Sequence, residues 1–252
     1  MAVGISVTII TRNEEKNIQD CLDSVTWAQE IVLVDAESTD RTVEIARQFT
    51  PKVLVRPWSG FAAQKNFALA RATQPWVLSL DADERVTLPL CERIREIVAA
   101  DGPLDGYYLP RKNFFGGRWI RHGMWYPDYQ LRLFRRNSGS FQCVNVHETM
   151  KVEGHLGYLQ TPLLHFSYDG IEDFVQRSNV YSTLAAQDLM RRGKRISYRK
   201  LLFGPLGRFC AMYFLHRGFL DGRDGLLLAV LYSYYVFLRS AKAWEIQEGK
   251  RY

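Results

Sequence analysis

Cysteine is scarce and scattered in this 252-residue chain. Cys21, Cys91, Cys143 and Cys210 form no CxxC pair and have no histidines at ligand spacing, which argues against a zinc site or a disulfide framework and fits a reducing cytoplasm. The opening residues, Met1-Ala2-Val3-Gly4-Ile5-Ser6, have neither the basic stretch nor the apolar core of a signal peptide. Long apolar runs are missing too. The longest, Leu226 to Leu238, contains Ser233 and three tyrosines, short of the roughly 20 residues a spanning helix needs, so a soluble or peripheral protein is expected. There is no internal repeat and no low-complexity segment.

What is present describes an ordinary globular chain, 47% hydrophobic and 24% charged, large enough for one sizeable domain with an appendage. A net charge of +6 and a pI near 9.1 favour anionic partners.

The first hundred residues alternate between strand and helix patterns. Ile5–Thr11 is a β-branched run, after which Asn13 is a candidate cap for a helix carrying Glu14 and Glu15 in its first turn and Ile18, Leu22 and Val25 on its apolar side. A strand over Ile31–Val34 stops at Asp35. Ser38, Thr39 and Asp40 are cap candidates for a helix with Val43, Ala46 and Phe49 inside. A strand over Val53–Val55 leads past Pro57 and Gly60 to a helix with Phe61, Phe67 and Leu69, and a strand over Trp76–Leu80 runs into Asp81-Ala82-Asp83-Glu84. After a helix near Leu88–Ala99, strands are expected at Tyr107–Arg111, Gln130–Arg135, Phe141–Val146 and Tyr158–His165. Helices follow from Ile171, through Tyr198–Leu202 and Phe209–Leu220, to Leu226–Trp244.

Near-continuous apolar strands separated by helices imply an α/β fold with a mostly parallel, doubly covered sheet. Ligands bind beyond the carboxyl ends of such strands. Three predicted ends carry polar groups: Thr11-Arg12-Asn13, Asp35 to Asp40, and Asp81 to Glu84. Two carboxylates two residues apart, just past a strand, can face one side of an extended turn and together suit a hard divalent cation that also takes phosphate oxygens. Capping of the next helix is the plainer reading of Asp81 and Asp83, but their strand-end position beside Asp35 favours a site. Asp35 can accept from a ribose hydroxyl or base N–H, whereas a capped turn accounts for Ser38 to Asp40 and leaves Asp35 unexplained. Lys65, within Gln64-Lys65-Asn66, can contact phosphate or base, or be a solvated helix lysine.

Thr11-Arg12-Asn13-Glu14-Glu15, Asp35 to Asp40, Gln64-Lys65-Asn66 and Leu80-Asp81-Ala82-Asp83-Glu84 resemble, in order and spacing, family 2 glycosyltransferases. Gln130 to Arg136, Gly139-Ser140-Phe141, Val146-His147-Glu148, Gly154 and Leu164 to Tyr168 look like the bacterial lipopolysaccharide-core β-1,4-glucosyltransferase subgroup. The general match covers about residues 4–100 and the narrower one extends to about 180. One departure is Ala36-Glu37, where the family usually has small residues, often Gly before Ser-Thr-Asp. The resemblance implies a GT-A fold, a nucleotide-diphosphate sugar donor (UDP-glucose in the subgroup), Mg²⁺ or Mn²⁺, and inversion by direct displacement. It assigns Thr11, Asn13, Glu14 and Asp35 to the nucleotide, Asp81 to ribose and metal, and Asp83 to the metal. It also divides the chain into a nucleotide-sugar half (1–100), an acceptor half (101–180) and a helical extension (181–252).

Displacement needs a general base. Glu148 is the first candidate because it follows a strand-like run and aligns with the subgroup motif; His147 could orient it or act itself, and His165 could complete the metal site. Between Arg111 and Arg136, seven basic residues face one acid, Asp128, with aromatics including Trp119 and Trp125 interleaved. Aromatic faces stack on sugars and arginines pair with phosphate, so an anionic glycan acceptor is expected, with Arg132 and Trp125 as binding candidates; a second-layer aromatic core is the alternative. Arg191-Arg192-Gly193-Lys194-Arg195 and Arg199-Lys200 precede apolar helices, a pattern that suits peripheral contact with an anionic leaflet or, equally, a packed hairpin. No nucleic-acid partner is expected. A sugar nucleotidyltransferase would carry a Gly-rich phosphate loop, and Ile9 to Asn13 has no glycine. A non-catalytic glycan-binding module would not need the strand-end carboxylates.

Overall fold

The computed structural model describes residues 4–144 and 147–249, apart from the side chains of 143–148. In chain order the elements are β1 (Ile5–Thr11), α1 (Ile18–Asp23), β2 (Glu30–Asp35), α2 (Thr42–Ala46), β3 (Val53–Val55), α3 (Phe61–Leu69), β4 (Trp76–Asp81), β5 (Glu84–Arg85) and α4 (Leu88–Ala100). They continue as β6 (Gly106–Phe115), β7 (Arg118–Trp119), β8 (Asp128–Arg135), β9 (Gly139–Val144), β10 (His147–Val152), β11 (Leu156–Tyr158), β12 (Leu163–Tyr168), α5 (Ile171–Arg191), α6 (Tyr198–Cys210) and α7 (Gly222–Gln247).

The main sheet has the order β3-β2-β1-β4-β8-β6-β12-β5. Its first four strands are parallel, and β8 joins β4 antiparallel. Because β1, β2 and β4 are buried on both faces, they need no polar alternation. Val7, Ile9, Leu33, Trp76, Leu78 and Leu80 form one core with Ile18 and Leu22 of α1 and Leu90 and Ile94 of α4, each side chain stabilising the fold by about 1.5–3 kcal/mol. The start of α4 is fixed by Thr87, whose hydroxyl accepts from the Leu90 amide at 3.4 Å.

The chain divides into two compact units, one of Met1–Arg111 with Asp128–His165 and one of Lys112–Pro127 with Phe166–Tyr252. The second has its own core of Phe115, Trp125, Phe174, Met212 and Leu228. Two motif glycines of the first unit are structural. A Cβ on Gly139 would overlap the Lys151 carbonyl oxygen across the β9–β10 ladder, and one on Gly154, at φ +136°, would overlap the Asp105 carboxylate.

Several sequence expectations change. The helix expected over Phe209–Leu220 is instead the end of α6 at Cys210, a π-helical turn over Ala211–Leu215 and a 3-10 turn over Gly218–Asp221. Asn13 is not a helix cap: it sits at φ 55°, its side-chain oxygen accepts from the Thr39 amide, and α1 begins only at Ile18. The strand expected over Tyr158–His165 is two strands: β11 ends at Tyr158 and β12 begins at Leu163, after Pro162, which has no amide to continue a ladder. The helix expected over Leu226–Trp244 runs from Gly222 to Gln247, past both ends of the apolar run Leu226–Leu238. With the short turn before it, it is the one helix among the described residues long and apolar enough to cross a membrane by length and composition, a test that core helices also pass.

At the amino end of β2, Glu30 ties strands together. Its carboxylate accepts from Ser6, Lys52 and both the amide (2.7 Å) and hydroxyl (3.0 Å) of Thr73. Burial alone would raise its pKa, but these donors outweigh it and hold the group at about 2. A depressed folded pKa stabilises above the unfolded value and is lost as pH falls through the folded one. Glu30→Gln is therefore expected to cost about 1–2 kcal/mol at neutral pH, the half-exposed Lys52 limiting the effect. In urea unfolding, its deficit against the wild type should close as pH falls from about 4.5 towards about 2.

Candidate active site

The sheet register brings the polar strand ends together. Thr11 of β1 pairs with Asp35 of β2, and Ile10 pairs with Asp81 of β4. Beyond Asp81 the chain turns back through Ala82-Asp83 into β5. The turn is closed by Glu84, whose Oε2 accepts the Asp81 amide at 3.0 Å. β5 pairs with β12 so that Glu84 stands opposite His165.

The two aspartates of this turn are in different electrostatic states. Asp81 Oδ1 is 2.8 Å from Lys65 Nζ, and its Oδ2 accepts from the Arg132 guanidinium. Burial would raise the Asp81 pKa, but the positive charges of Arg132 and Lys65 overcome it and hold the carboxylate well below its usual range. The same Arg132 nitrogen is 2.5 Å from Glu84 Oε1, which Arg111 reaches at 3.2 Å. Arg111 in turn binds Asp128 through two nitrogens at 2.9 and 2.6 Å. Asp83 has a different environment. Its Oδ2 lies 3.5 Å from His165 Nε2, and its Oδ1 is buried with no hydrogen-bond partner.

A buried carboxylate oxygen without a donor costs stability. Beside an imidazole, it is a hard-oxygen position for a divalent cation that would complete its shell with water and phosphate. Asp83 and His165 thus fit a Mg²⁺ or Mn²⁺ site, whereas the oxygens of Asp81 are engaged by two cations.

The loop after β1 is locked to the loop after β2. Asp35, wholly buried, accepts from Thr11 Oγ1 at 2.9 Å, Ser38 Oγ at 2.5 Å and the Ser38 amide at 2.8 Å. Ser38 Oγ also accepts the Asn13 amide at 2.8 Å, and Thr42 Oγ1 accepts the Glu14 amide at 2.8 Å. The turn chemistry therefore extends to Asp35 itself. Glu37, at the position where the family often has glycine, adopts φ 55°, a left-handed conformation that costs a residue with a Cβ about 1–2 kcal/mol.

Lys65 is not a solvated helix lysine. It is buried on Asp81, with its ammonium 5.6 Å from the Phe141 ring centroid. Its neighbour Asn66 holds the Phe141 backbone at both groups, at 2.7 and 2.8 Å, and so anchors the β9–β10 hairpin. Of the residues expected to meet the acceptor, Arg132 is buried between Asp81 and Glu84. Trp125 lies inside the core of the second unit, edge-on to Phe115 and Tyr232. The backbones of His147 and Glu148 pair with Val144 and Cys143; their side chains, like all of Val146, lie outside the described residues. Sequence reasoning left Glu84 and Asn66 without a role, took Ser38 only as a helix cap, and counted Arg111 only among the basic residues of the acceptor stretch. The signal for Glu84 was a polar motif at a predicted strand end, and for Asn66 a polar motif on a predicted helix.

Residues 6–156 match the family described as Glycosyl transferase family 2. The lipopolysaccharide core biosynthesis glycosyltransferase LpsC of Rhizobium meliloti (strain 1021) is 34% identical over 248 residues, covering 96% of this chain and 92% of that protein. An uncharacterized glycosyltransferase of Rickettsia felis (strain ATCC VR-1525 / URRWXCal2) is 32% identical over 254 residues, 96% of this chain and 89% of that one. Among solved structures, the mannosyltransferase PcManGT from Pyrobaculum calidifontis in complex with GDP-Man and Mn²⁺ is similar in fold. Its TM-score is 0.53 at 15% identity, over 95% of this chain and 86% of that chain. With a parallel sheet whose carboxyl ends gather Asp35, Asp81 and Asp83, and with relatives matched over almost its whole length, the chain belongs to glycosyl transferase family 2 and is a glycosyltransferase of the GT-A fold.

Proposed function

We propose that this glycosyltransferase moves a hexose, with inversion, from a nucleotide-diphosphate sugar to an anionic glycan of the lipopolysaccharide-core type, UDP-glucose being the donor that the sequence resemblance implies. The reading divides the chain into a donor half (1–100), an acceptor half (101–180) and an extension (181–252), working at the inner face of the cell membrane. The observation that carries it is the buried, unpartnered Oδ1 of Asp83 at the carboxyl end of β4, beside His165. Mg²⁺ or Mn²⁺, when bound, supplies charge neutralisation for the diphosphate leaving group. Asp83 and His165 would hold it. Lys65 and Arg132 keep Asp81 ionised and fixed, so that its oxygens can accept from the donor's ribose, and the interlocked loops of Asn13, Glu14 and Asp35 line the nucleoside.

In the displacement, the acceptor hydroxyl oxygen bonds to the anomeric carbon as the bond from that carbon to the diphosphate oxygen breaks. Glu148 takes the hydroxyl proton, with His147 beside it in sequence as its orienting partner. Since Arg111 and Arg132 are consumed by internal carboxylates, an anionic acceptor falls to other cations of the basic-aromatic stretch.

A transfer assay over UDP-, GDP- and ADP-sugars with lipopolysaccharide-core acceptors, with added Mn²⁺ or with chelator, tests this directly. Metal-dependent consumption of one donor is expected; no consumption under any metal condition overturns the reading. In the same assay Glu148→Gln should bind donor normally and transfer about 10²–10⁴-fold more slowly. Normal turnover would remove Glu148 from the mechanism.

A further inference from the structure

The second unit carries a surface that the transfer chemistry does not use. From Leu189 to Leu220 the chain has eight arginines and lysines and no aspartate or glutamate. The same stretch buries Ile196 and Met212 but leaves much of its other apolar surface in solvent. No residue of α6 is buried. Tyr198, Leu202 and Leu206 recur four residues apart and make an exposed stripe, with Phe203 beside it. Past the helix, Leu215 is 78% exposed and Leu220 55% exposed. Arg199 and Lys200 lie within the first turn of α6, and both are exposed.

A contiguous exposed apolar ridge is costly in water and marks an interaction surface. The charge decides its occupant. A second copy of this chain packed through the same face would set like charges against like, since the stretch itself contains no acid to pair them. An anionic leaflet supplies negative charge across the whole plane and hydrocarbon beneath it. Long basic side chains can then reach headgroups while their stems and the neighbouring leucines enter the interface.

We infer that α6 and the turns that follow it, to Leu220, lie in the surface of an anionic membrane, with Leu202, Phe203, Leu206 and Leu215 entering the headgroup boundary and Arg199 and Lys200 on lipid phosphates. This surface is independent of the donor assignment: vesicle binding needs neither sugar nor metal, and a failed transfer assay would leave it standing.

The test is co-sedimentation of the full chain with vesicles of phosphatidylcholine alone or with added phosphatidylglycerol. Binding to the anionic vesicles should be at least about tenfold tighter and should weaken with salt. Arg199→Glu with Lys200→Glu should lower it about tenfold or more, and Leu202→Ser with Leu206→Ser should lower it at any salt concentration. All four side chains are exposed, so both variants should keep the wild-type thermal midpoint. Equal binding to both vesicle types, no binding to either, or variants that bind like the wild type would each overturn the inference. So would a Leu202/Leu206 variant that converts a dimer to monomer while vesicle binding stays unchanged, because the ridge would then be a self-interface.

Discussion

Asp83→Asn should lower the transfer rate by about three orders of magnitude, or about 4 kcal/mol of barrier, the scale of a metal's contribution to stabilising a leaving group. The substitution keeps the shape of the side chain and removes its charge. Its second expected effect separates function from structure. The buried Oδ1 of Asp83 has no hydrogen-bond partner, so in the absence of metal an ionised carboxylate there is a burden on the fold. Neutralising it should leave the thermal midpoint of the metal-free protein unchanged or raise it. A loss of activity together with a loss of stability would assign Asp83 a structural task instead. Asp81→Asn is expected to behave differently, because it leaves Lys65 and Arg132 buried against a neutral group and should destabilise the fold.

Glu84→Leu should be the most destabilising single change near the site, costing about 3–5 kcal/mol, as expected when one partner of a buried ion pair is removed. Glu84 is wholly buried, accepts the Asp81 amide and balances Arg132 and Arg111. Without it, two buried cations share Asp81 and Asp128, and the turn that carries Asp83 loses its closing bond. Urea unfolding of the metal-free protein measures the change. The network also sets a pH dependence. Because the folded pKa of Asp81 is depressed, its stabilising contribution is present above the ordinary carboxylate range and is lost only as pH falls through the lower folded value. Arg132→Leu should raise that folded value and move the acid loss upwards in pH. A midpoint for Glu84→Leu within about 1 kcal/mol of the wild type would mean that solvent, not Glu84, balances the arginines.

The parallel half of the fold was legible because its strands are buried on both faces and their composition carries the signal alone. β1 and β3 occupy the ranges read from β-branched runs, and the polar residues that end β1, β2 and β4 do share one rim. The pairing of those ends, Thr11 with Asp35 and Ile10 with Asp81, follows from strand order, which periodicity does not encode. The different roles proposed for Asp81 and Asp83 come from family resemblance and not from local pattern. What makes the two aspartates physically unequal is contact from far along the chain, with Lys65 and Arg132 on one and His165 on the other. Arg132 shows the same limit. A basic residue in a basic, aromatic stretch suggests a ligand contact, yet its charge is spent on Asp81 and Glu84, and Trp125 of the same stretch went to a core. The single strand expected over Tyr158–His165 is instead split, with β11 on β6 and β12 on β5, a choice of partners that local propensity cannot report.

The central claim is that Asp83 holds the metal through which the donor's diphosphate is bound. Calorimetric titration of UDP into the wild type and into Asp83→Asn, each with and without Mn²⁺, tests it most directly. Manganese should tighten UDP binding to the wild type and leave binding to Asp83→Asn unchanged. Equal tightening in both proteins would contradict the account.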